Sequence, residues 1–350
     1  MNEPIERLAL GAALMTMVAC GTGGEATTST ATTTSTTEST TSTPAAPTTT
    51  ALPEPITSEG ATVIPLADRE QARLVLTGGP DWLTEGFGSI WVKVDSGDVR
   101  RIDPVGNSIQ AEIPVSDELC QGIGISPEAI WTCTREVDQP TNVARIDPAN
   151  NEVAASIEVG KSTDQGRLVF ASGRIWVLNA TGDQIMGIDT ATNAVGPPIE
   201  LGTRCTDLAA AGDVIWATCP IEGFVIRIDP GGEVTRGPVT LENARQIAAA
   251  EYVFVSFSGG IAQLDAETLE VLALYEGSLG LASSIWAADD AVWVRRQPEP
   301  LLTRIDPTTQ TVVEVIEAEG PFSGGDVLVA FDSIWATAFD DNFLVRLASG

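Results

Sequence analysis

Short apolar strands with an aromatic residue near their centre recur along this chain at a nearly constant interval. Each has a form close to Ile-Trp-Val/Ala, and about a dozen residues later most are followed by a strand ending Arg-Ile-Asp-Pro. The aromatic residues are spaced 40, 45, 40, 38, 39 and 42 positions apart, and they are Trp91, Trp131, Trp176, Trp216, Phe254, Trp293 and Trp335. Such an interval is the length of one four-stranded blade. The pattern therefore predicts an all-β fold, a seven-bladed β-propeller.

The fourth repeat shows how one blade is built. Small apolar residues at 206–211 suit an innermost strand beside a crowded central channel, and 214–218 and 224–228 supply the next two strands. Asp229-Pro230 then begins a turn into the outer strand, and Asp followed by Pro is typical of type I and II turns. The same pair recurs at Asp103, Asp147 and Asp306. We interpret these aspartates as turn-forming residues and not as metal ligands.

The two ends of the repeat region predict how the ring closes. After Trp335 the pattern shows a third strand at 343–347 and no outer strand. The isolated segment 72–77 matches the outer-strand pattern of 311–317. We expect this N-terminal strand to complete the seventh blade, which would remove an exposed sheet edge.

The N-terminal region has the features of an export signal followed by a linker. Residues 8–19 form an apolar run that is too short to span a bilayer but suits a signal-peptide core. The run ends in Met17-Val18-Ala19-Cys20-Gly21, which resembles the bacterial lipobox and implies lipidation of Cys20; a plain secretory signal is the alternative. We predict a signal peptide at 1–20, a disordered Thr/Ser/Pro-rich linker at 21–66 and a propeller at 67–350. The protein would then lie on the extracytoplasmic face of the cell membrane, held by its lipid alone.

Four further cysteines fall into two pairs, Cys120 with Cys133 and Cys205 with Cys219. In each pair the first cysteine lies 11 residues before the tryptophan of its blade and the second lies just after it. That spacing places both pairs at the open end of two adjacent strands, within bridging distance. We expect two structural disulfides, which suit an exported protein. A redox or metal-binding role is the alternative.

Composition limits the classes of partner and chemistry. The chain has 48 acidic and 19 basic residues and a formal net charge of −29. Nucleic acid is therefore excluded as an expected partner, because binding a polyanion requires a basic surface. The chain contains no histidine, the commonest general base and transition-metal ligand near neutral pH.

Several phrases around the first blade resemble those of a known family. Gly79-Pro80-Asp81, Gly88-Ser89-Ile90-Trp91-Val92 and Val99-Arg100-Arg101-Ile102-Asp103-Pro104 are similar to the streptogramin B (virginiamycin B) lyase-like and YVTN/NHL-type seven-bladed propellers. The resemblance covers about residues 72–350 and implies the propeller fold. The lyases of that family hold a divalent metal at the channel mouth with histidines and glutamates. Because histidine is absent here, the resemblance implies no catalytic residue in this chain.

One face of the predicted propeller is the candidate ligand-binding surface. Loops that join outer to inner strands, and second to third strands, converge there around the channel mouth. Their charged and aromatic residues differ from blade to blade, which is where specificity can reside. The candidates are Asp81, Trp82, Glu85, Asp117, Asp164, Arg204, Asp207, Arg245, Arg295, Arg296 and Asp326.

Each kind of candidate has two interpretations. The carboxylates could bind calcium or form an acid/base pair, or they could be solvated loop charges. Arg295 and Arg296 could bind a carboxylate or sulfate, or they could pair with an acidic neighbour. Trp82 could stack on a sugar or other ring, or pack as a core indole.

These observations predict a non-catalytic, monomeric binding module at the cell surface. Its expected partner is an envelope protein or a glycan, and no cofactor is expected. The alternative is a lyase or lactonase-like hydrolase that works at the channel mouth with carboxylate-bound calcium or magnesium.

Overall fold

The computed structural model describes residues 52–134, 141–160, 166–276, 282–296, 301–320 and 322–350. Cys20, most of the predicted linker and Asp164 lie outside these residues. Within them the chain forms seven sheets, and each sheet contains four antiparallel strands. Successive inner strands contact one another around a closed ring, from blade 1 to blade 7 and back to blade 1. The predicted seven-bladed propeller is confirmed.

The strands of blades 1 to 4 follow the chain from the inner to the outer edge of each blade. They are β3 Pro80–Gly86, β4 Ser89–Val94, β5 Asp98–Asp103 and β6 Ser108–Pro114; β7 Leu119–Ser126, β8 Ala129–Thr134, β9 Asn142–Asp147 and β10 Glu152–Glu158; β11 Val169–Ala171, β12 Arg174–Leu178, β13 Gln184–Asp189 and β14 Ile199–Glu200; β15 Asp207–Ala211, β16 Val214–Cys219, β17 Phe224–Ile228 and β18 Val234–Arg236.

Blades 5 to 7 repeat this order, and two N-terminal strands join the last two of them. The strands are β19 Ile247–Ala249, β20 Tyr252–Phe257, β21 Gly260–Asp265 and β22 Val271–Tyr275; β23 Ala282–Ala287, β24 Val292–Arg296, β25 Leu302–Asp306, β26 Thr311–Glu317 and β1 Thr62–Pro65; β27 Val327–Ala330, β28 Ser333–Ala338, β29 Phe343–Ala348 and β2 Glu70–Val75. The helix α1, Leu66–Arg69, connects β1 to β2. Among the described residues, no helix is long and apolar enough to cross a bilayer.

The repeated aromatic residue lies on the second strand of every blade. Trp91, Trp131 and Trp335 are fully buried, as is Phe254 in blade 5. Every residue of β4, β8 and β28 is buried, because a second strand is packed between two neighbouring blades. This double burial explains why these segments are continuously apolar around the aromatic residue.

The arginine at the Arg-Ile-Asp-Pro position of the third strand joins blade 1 to blade 2 and blade 7 to blade 1. The guanidinium of Arg101 donates to the carbonyl of Pro148 at 2.7 Å and to Asn151 Oδ1 at 3.0 Å, both in the turn of blade 2. Arg346 of blade 7 donates in the same way to the carbonyl of Pro104 in blade 1 at 2.6 Å. Each of these arginines also lies over the tryptophan of its own blade. The arginine of the repeat therefore has a structural role.

The aspartate of the same phrase forms the turn. The carboxylates of Asp103 and Asp147 each accept a hydrogen bond from the backbone N–H two residues later, at 2.9 and 2.8 Å. Asp306 accepts from Thr308 and Thr309, and these bonds hold the pKa of its carboxyl below the usual value. The interpretation of these aspartates as turn-forming residues is confirmed.

The ring closes as predicted, and the chain joins it earlier than predicted. Strand β2 pairs with β29 as the outer strand of blade 7, with Val75 opposite Phe343. Before it, β1 runs parallel to β26 of blade 6. Ile56 donates a backbone hydrogen bond to Leu274 of β22 at 2.7 Å and accepts one at 2.9 Å from Glu276, just after that strand. The boundary predicted at residue 67 therefore falls too late, because pairing with the outer edges of the blades orders part of the segment assigned to the linker.

Both predicted disulfides are present. Cys120 bridges to Cys133 between β7 and β8, and Cys205 bridges to Cys219 at the start of blade 4. The pairing of β7 with β8 shifts register between Leu119 and Ile123, whereas β15 and β16 pair regularly. This bulge accounts for the different distances of Cys133 and Cys219 from their tryptophans.

Candidate functional site

The candidate site lies at the end of the channel where the inner strands begin. Two adjoining cavities of about 340 and 550 Å³ open there, within the size range of ligand sites. We call them the smaller and the larger mouth cavity. Both are lined by Trp82, Gln121, Asn243, Arg245 and Gln246. The smaller cavity adds Gly166, Arg204, Thr206, Asp207, Pro220 and Ile221, and the larger adds Asp81, Ser256, Ala282, Ser283, Gly324, Gly325 and Phe339.

The structure brings together five of the predicted site residues and separates the others. Asp81, Trp82, Arg204, Asp207 and Arg245 all line the mouth cavities. Asp326, Arg295 and Arg296 are buried near this face and do not line either cavity. Asp117 is exposed on the loop between β6 and β7.

The prediction for Glu85 is wrong. Its neighbour Gly86 pairs with Ser89 at the turn between β3 and β4, whereas Pro80 pairs with Val94 at the mouth end of the same strands. Because β3 is seven residues long, Glu85 lies at the far end of the strand from Asp81. Its side chain is exposed on the face opposite the mouth.

Arg167, which the sequence did not single out, crosses the channel beneath the mouth. Its guanidinium donates to the carbonyl of Ile247 at 2.9 Å, to Ser284 Oγ at 3.0 Å and to the carbonyl of Ile285 at 3.3 Å. It also pairs with Asp326 at 3.4 Å and lies 4.6 Å from the ring centre of Trp82. This one side chain therefore contacts blades 1, 5, 6 and 7.

The backbone before Arg167 is shaped to direct it inward. Gly166 has a φ of 107°, a conformation that side-chain-bearing residues rarely adopt. A Cβ at this position would also lie 2.9 Å from the carbonyl of Thr206. Glycine is thus required here for two reasons, and it lets the chain pass close to blade 4.

Trp82 is a packed residue and not an open stacking surface. Its side chain is 7% exposed and belongs to the apolar cluster between blades 1 and 2. Arg167 covers its ring. Of the two interpretations, the core indole is therefore the one that the structure supports. Phe339, a half-buried ring in the larger cavity, is an aromatic residue that the sequence analysis missed.

Asp207 and Asp326 bind backbone groups at equivalent positions of blades 4 and 7. Each accepts the N–H of the residue that follows it, and each accepts an N–H from the inner strand of the next blade, Ile247 at 3.2 Å and Leu83 at 2.9 Å. Asp207 also accepts the N–H of Arg167 at 3.1 Å. Burial raises the pKa of Asp207 to about 6 despite the nearby Arg167 guanidinium. These carboxylates hold adjacent blades together.

Asp81 is the acidic residue with the most unusual environment at the mouth. It is 6% exposed, and Lys93 Nζ lies 3.7 Å from its carboxylate and contacts Asp95 more closely. Burial raises the pKa of Asp81 to about 7, and Lys93 opposes that shift. This group therefore changes charge close to neutral pH.

Arg295 and Arg296 face opposite sides of blade 6. Arg295 donates to the carbonyls of Phe322, Gly324 and Thr337 in and around blade 7, and burial lowers its pKa to about 10. Arg296 is 8% exposed, and burial lowers its pKa as well. Neither forms an ion pair with a described acidic residue. Arg295 thus has a structural role in joining blades 6 and 7.

Arg204 and Arg245 differ in their exposure from the other described cations near this face, which are Lys93, Arg167, Arg295 and Arg296. Both are exposed at the smaller cavity, and neither pairs with a carboxylate in the part of the chain that the structure describes. The Nε of Arg245 donates to Asn243 Oδ1 at 3.0 Å, which orients its guanidinium. Two further polar atoms around the cavities, Gln246 Oε1 and Ser283 Oγ, are buried without a hydrogen-bond partner among the described residues.

No set of three or more Cys, Asp or Glu side chains in the described ranges is arranged to share a metal ion. The fold and the mouth together define a seven-bladed propeller with polar, arginine-containing cavities at one end of its axis. No protein-family model matches the chain, and no curated protein matches its sequence.

Solved structures do match the fold. Virginiamycin B lyase from Staphylococcus aureus superposes with a TM-score of 0.65 at 15% identity, covering 79% of this chain and 98% of the lyase. The U3-55K structure gives 0.68 at 13% identity, covering 81% and 100%. The WD40 propeller domain of Doa1 gives 0.65 at 10% identity, covering 81% and 97%. The chain therefore has the lyase-like propeller fold anticipated from its first blade, and propellers of other kinds share that fold.

Proposed function

We propose that this chain is a cell-surface lipoprotein whose propeller binds an envelope protein or a glycan at the mouth cavities without catalysing a reaction. The observation that carries the proposal is the unused hydrogen-bonding capacity around these cavities. Arg204, Arg245, Gln246 Oε1 and Ser283 Oγ lack strong partners within the described chain. The two buried atoms, Gln246 Oε1 and Ser283 Oγ, cost free energy unless something pairs with them, and the exposed guanidiniums of Arg204 and Arg245 are accessible to a ligand. A bound partner would supply those contacts.

The buried acids support binding over catalysis. Asp207 and Asp326 use their carboxylate oxygens to accept backbone N–H groups from two blades each. A general base needs a free oxygen that can reach the proton of a substrate. Using either residue in that way would break contacts that join the blades.

The experiment is cross-linking on living cells, mapped by mass spectrometry. A carboxylate-reactive linker suits a chain with 48 acidic residues and two lysines, Lys93 and Lys161. The full-length protein is compared with Gln121→Trp, which fills space that both cavities share. Gln71→Trp is the matched control, since Gln71 is exposed on the outer strand β2.

We expect one recurrent partner with the native protein and with Gln71→Trp, and loss of that partner with Gln121→Trp. Equal cross-linking of the two variants would place the binding surface away from the mouth. The absence of any recurrent partner would overturn the proposal.

The alternative, a lyase or lactonase-like hydrolase, is favoured by Asp81. Its pKa of about 7 and its position in the larger cavity suit a group that transfers protons. If a carboxylate-bound calcium or magnesium ion assists such a reaction, millimolar ion should raise the melting temperature and a chelator should lower it. A binding module without a metal should respond to neither.

A further inference from the structure

We infer that the smaller mouth cavity is a carboxylate subsite formed by Arg204 and Arg245, and that its ligand is an acidic, uronate-bearing glycan. This inference rests on the proposed function and names the chemical class of its ligand.

The carboxylate-binding groups of the smaller mouth cavity are its two arginines. The chain carries 48 acidic side chains, so carboxylate partners are abundant. Two other cations near this face have them, since Lys93 contacts Asp81 and Asp95 and Arg167 pairs with Asp326. Arg204 and Arg245 line one cavity, and neither pairs with a carboxylate in the described ranges. Asn243 engages Nε of Arg245, and the two terminal nitrogens of that guanidinium have no hydrogen-bond partner among the described residues. A guanidinium with free terminal nitrogens binds a carboxylate in a bidentate manner.

The net charge of the smaller mouth cavity indicates the charge of the ligand that it suits. Its described lining contains two arginines and one aspartate, Asp207. When Asp207 is ionised the net charge is +1, which complements a single carboxylate. A phosphate monoester carries almost two negative charges at neutral pH and would lie beside the Asp207 carboxylate as well. The arrangement therefore favours a monoanion.

The neutral side chains that line the smaller mouth cavity suit a sugar. Gln121, Asn243, Gln246 and Thr206 line the same cavity as the arginines, and the buried Oε1 of Gln246 has no partner among the described residues. Amide side chains both donate and accept, which matches the hydroxyl groups of a sugar ring. Ile221 is 70% exposed at the rim and offers an apolar contact to the C–H face of such a ring.

The two mouth cavities adjoin each other. They share five lining residues, so a ligand can extend from one into the other. The larger cavity adds Phe339, a half-buried ring at which a second sugar can pack. The combined site suits a short oligosaccharide with its carboxylate in the smaller cavity.

The test is isothermal titration calorimetry on the full-length protein. The probes are the trisaccharides of glucuronate and of galacturonate, with the corresponding neutral glucose and galactose trisaccharides for comparison. The variants are Arg204→Gln and Arg245→Gln. Arg236→Gln is the matched control, because Arg236 is exposed on the outer strand β18 of the same blade as Arg204.

We expect at least one uronate trisaccharide to bind about tenfold or more tightly than its neutral counterpart. Each mouth variant should weaken that binding by about tenfold or more, since a hydrogen bond to a charged group contributes that much. Arg236→Gln should bind like the native protein.

Three results would overturn the inference, and they bear differently on the proposed function. Equal binding of neutral and acidic sugars, unaffected by the arginine variants, would refute the carboxylate subsite and leave glycan binding intact. Binding of trialanine but not of its C-terminal amide, with no binding of the sugars, would assign the arginines to peptide carboxylates. No binding of any probe would refute the ligand class; the proposed function would fall with it only if cross-linking on cells also finds no partner at the mouth.

Discussion

Arg167→Met is the substitution that most directly tests how this ring is held together. Methionine keeps an unbranched apolar side chain of similar length and removes the guanidinium. The variant loses the two shorter hydrogen bonds across the channel, to the carbonyl of Ile247 and to Ser284 Oγ, at 2.9 and 3.0 Å. It also loses the longer contacts to Ile285 and Asp326 and the stacking on Trp82.

The magnitude follows from these contacts. A hydrogen bond from a charged group contributes about 1.5–3 kcal/mol and a desolvated cation–π contact about 1–2 kcal/mol. Removing a largely buried charge recovers part of its desolvation cost, since this side chain is 17% exposed. We expect the free energy of unfolding to fall by about 3–5 kcal/mol. Arg167→Lys keeps the charge but lacks the planar guanidinium. Its free energy of unfolding should therefore lie between those of the native protein and of Arg167→Met.

A pH dependence distinguishes this role from simple loss of packing. The Arg167 guanidinium lowers the pKa of Asp207, which burial raises to about 6. Without Arg167 that pKa rises further, so the folded state holds the proton to higher pH and loses more stability as pH increases. The destabilisation should therefore be larger at pH 8 than at pH 5.

The assay is urea unfolding followed by tryptophan fluorescence at both pH values. Arg236→Met, on the outer strand of blade 4, is the control; it removes one exposed arginine that lies over the Phe224 ring and should change stability by about 1 kcal/mol or less. A loss below about 1 kcal/mol in Arg167→Met, or an equal loss at pH 5 and pH 8, would refute the reasoning.

Three other substitutions test separate features. Because burial raises the pKa of Asp81 to about 7, stability should decline as pH rises from about 4 to 7, and Asp81→Asn should remove that share of the decline; equal pH slopes in urea unfolding would contradict this. Replacing both Cys120 and Cys133 with alanine opens a bridge between residues 13 positions apart and should cost about 3 kcal/mol in the same assay. Cys20→Ala should move the protein from the membrane to the soluble fraction on cell fractionation, and unchanged membrane association would count against the lipid anchor.

The frame of the propeller could be predicted because its signals are local. Blade aromatics such as Trp91 lie in strands buried on both sides, and turn aspartates such as Asp103 bind a backbone N–H two residues away. The closing strand β2 was also predictable, since an outer strand has the same apolar pattern wherever it occurs in the chain. Periodicity and turn chemistry are therefore sufficient for the architecture.

The centre of the site depends on contacts that leave no local signal. Arg167 contacts residues 80, 117, 118 and 159 positions away, and only closure of the ring brings them together. Glu85 was misplaced because loop and strand residues are hard to distinguish at the end of a long inner strand. The attachment of Ile56 was hidden because a single pair of backbone hydrogen bonds requires no particular side chain.

One position of the repeat connects the frame to the site. The residue two places after each blade aromatic lies at the mouth end of the second strand, and its chemistry changes from blade to blade. Those residues are Lys93, Cys133, Leu178, Thr218, Ser256, Arg295 and Thr337. Lys93 contacts acids, Cys133 forms a disulfide, Arg295 binds carbonyls of blade 7, and Thr337 donates to the carbonyl of Asp81 at 2.6 Å.

These seven residues form a layer below the mouth cavities, and the contacts of Lys93, Cys133, Arg295 and Thr337 differ in kind. Arg204 and Arg245 stand above it and take no part in its ion pairs. Thr218 donates to the backbone carbonyl of Arg245, and Ser256 accepts the N–H of Gln246, so the layer positions the backbone of these cavity residues and leaves their terminal groups free. Substitutions of the two arginines should therefore alter ligand binding without weakening the ring, whereas substitutions in the layer should alter both.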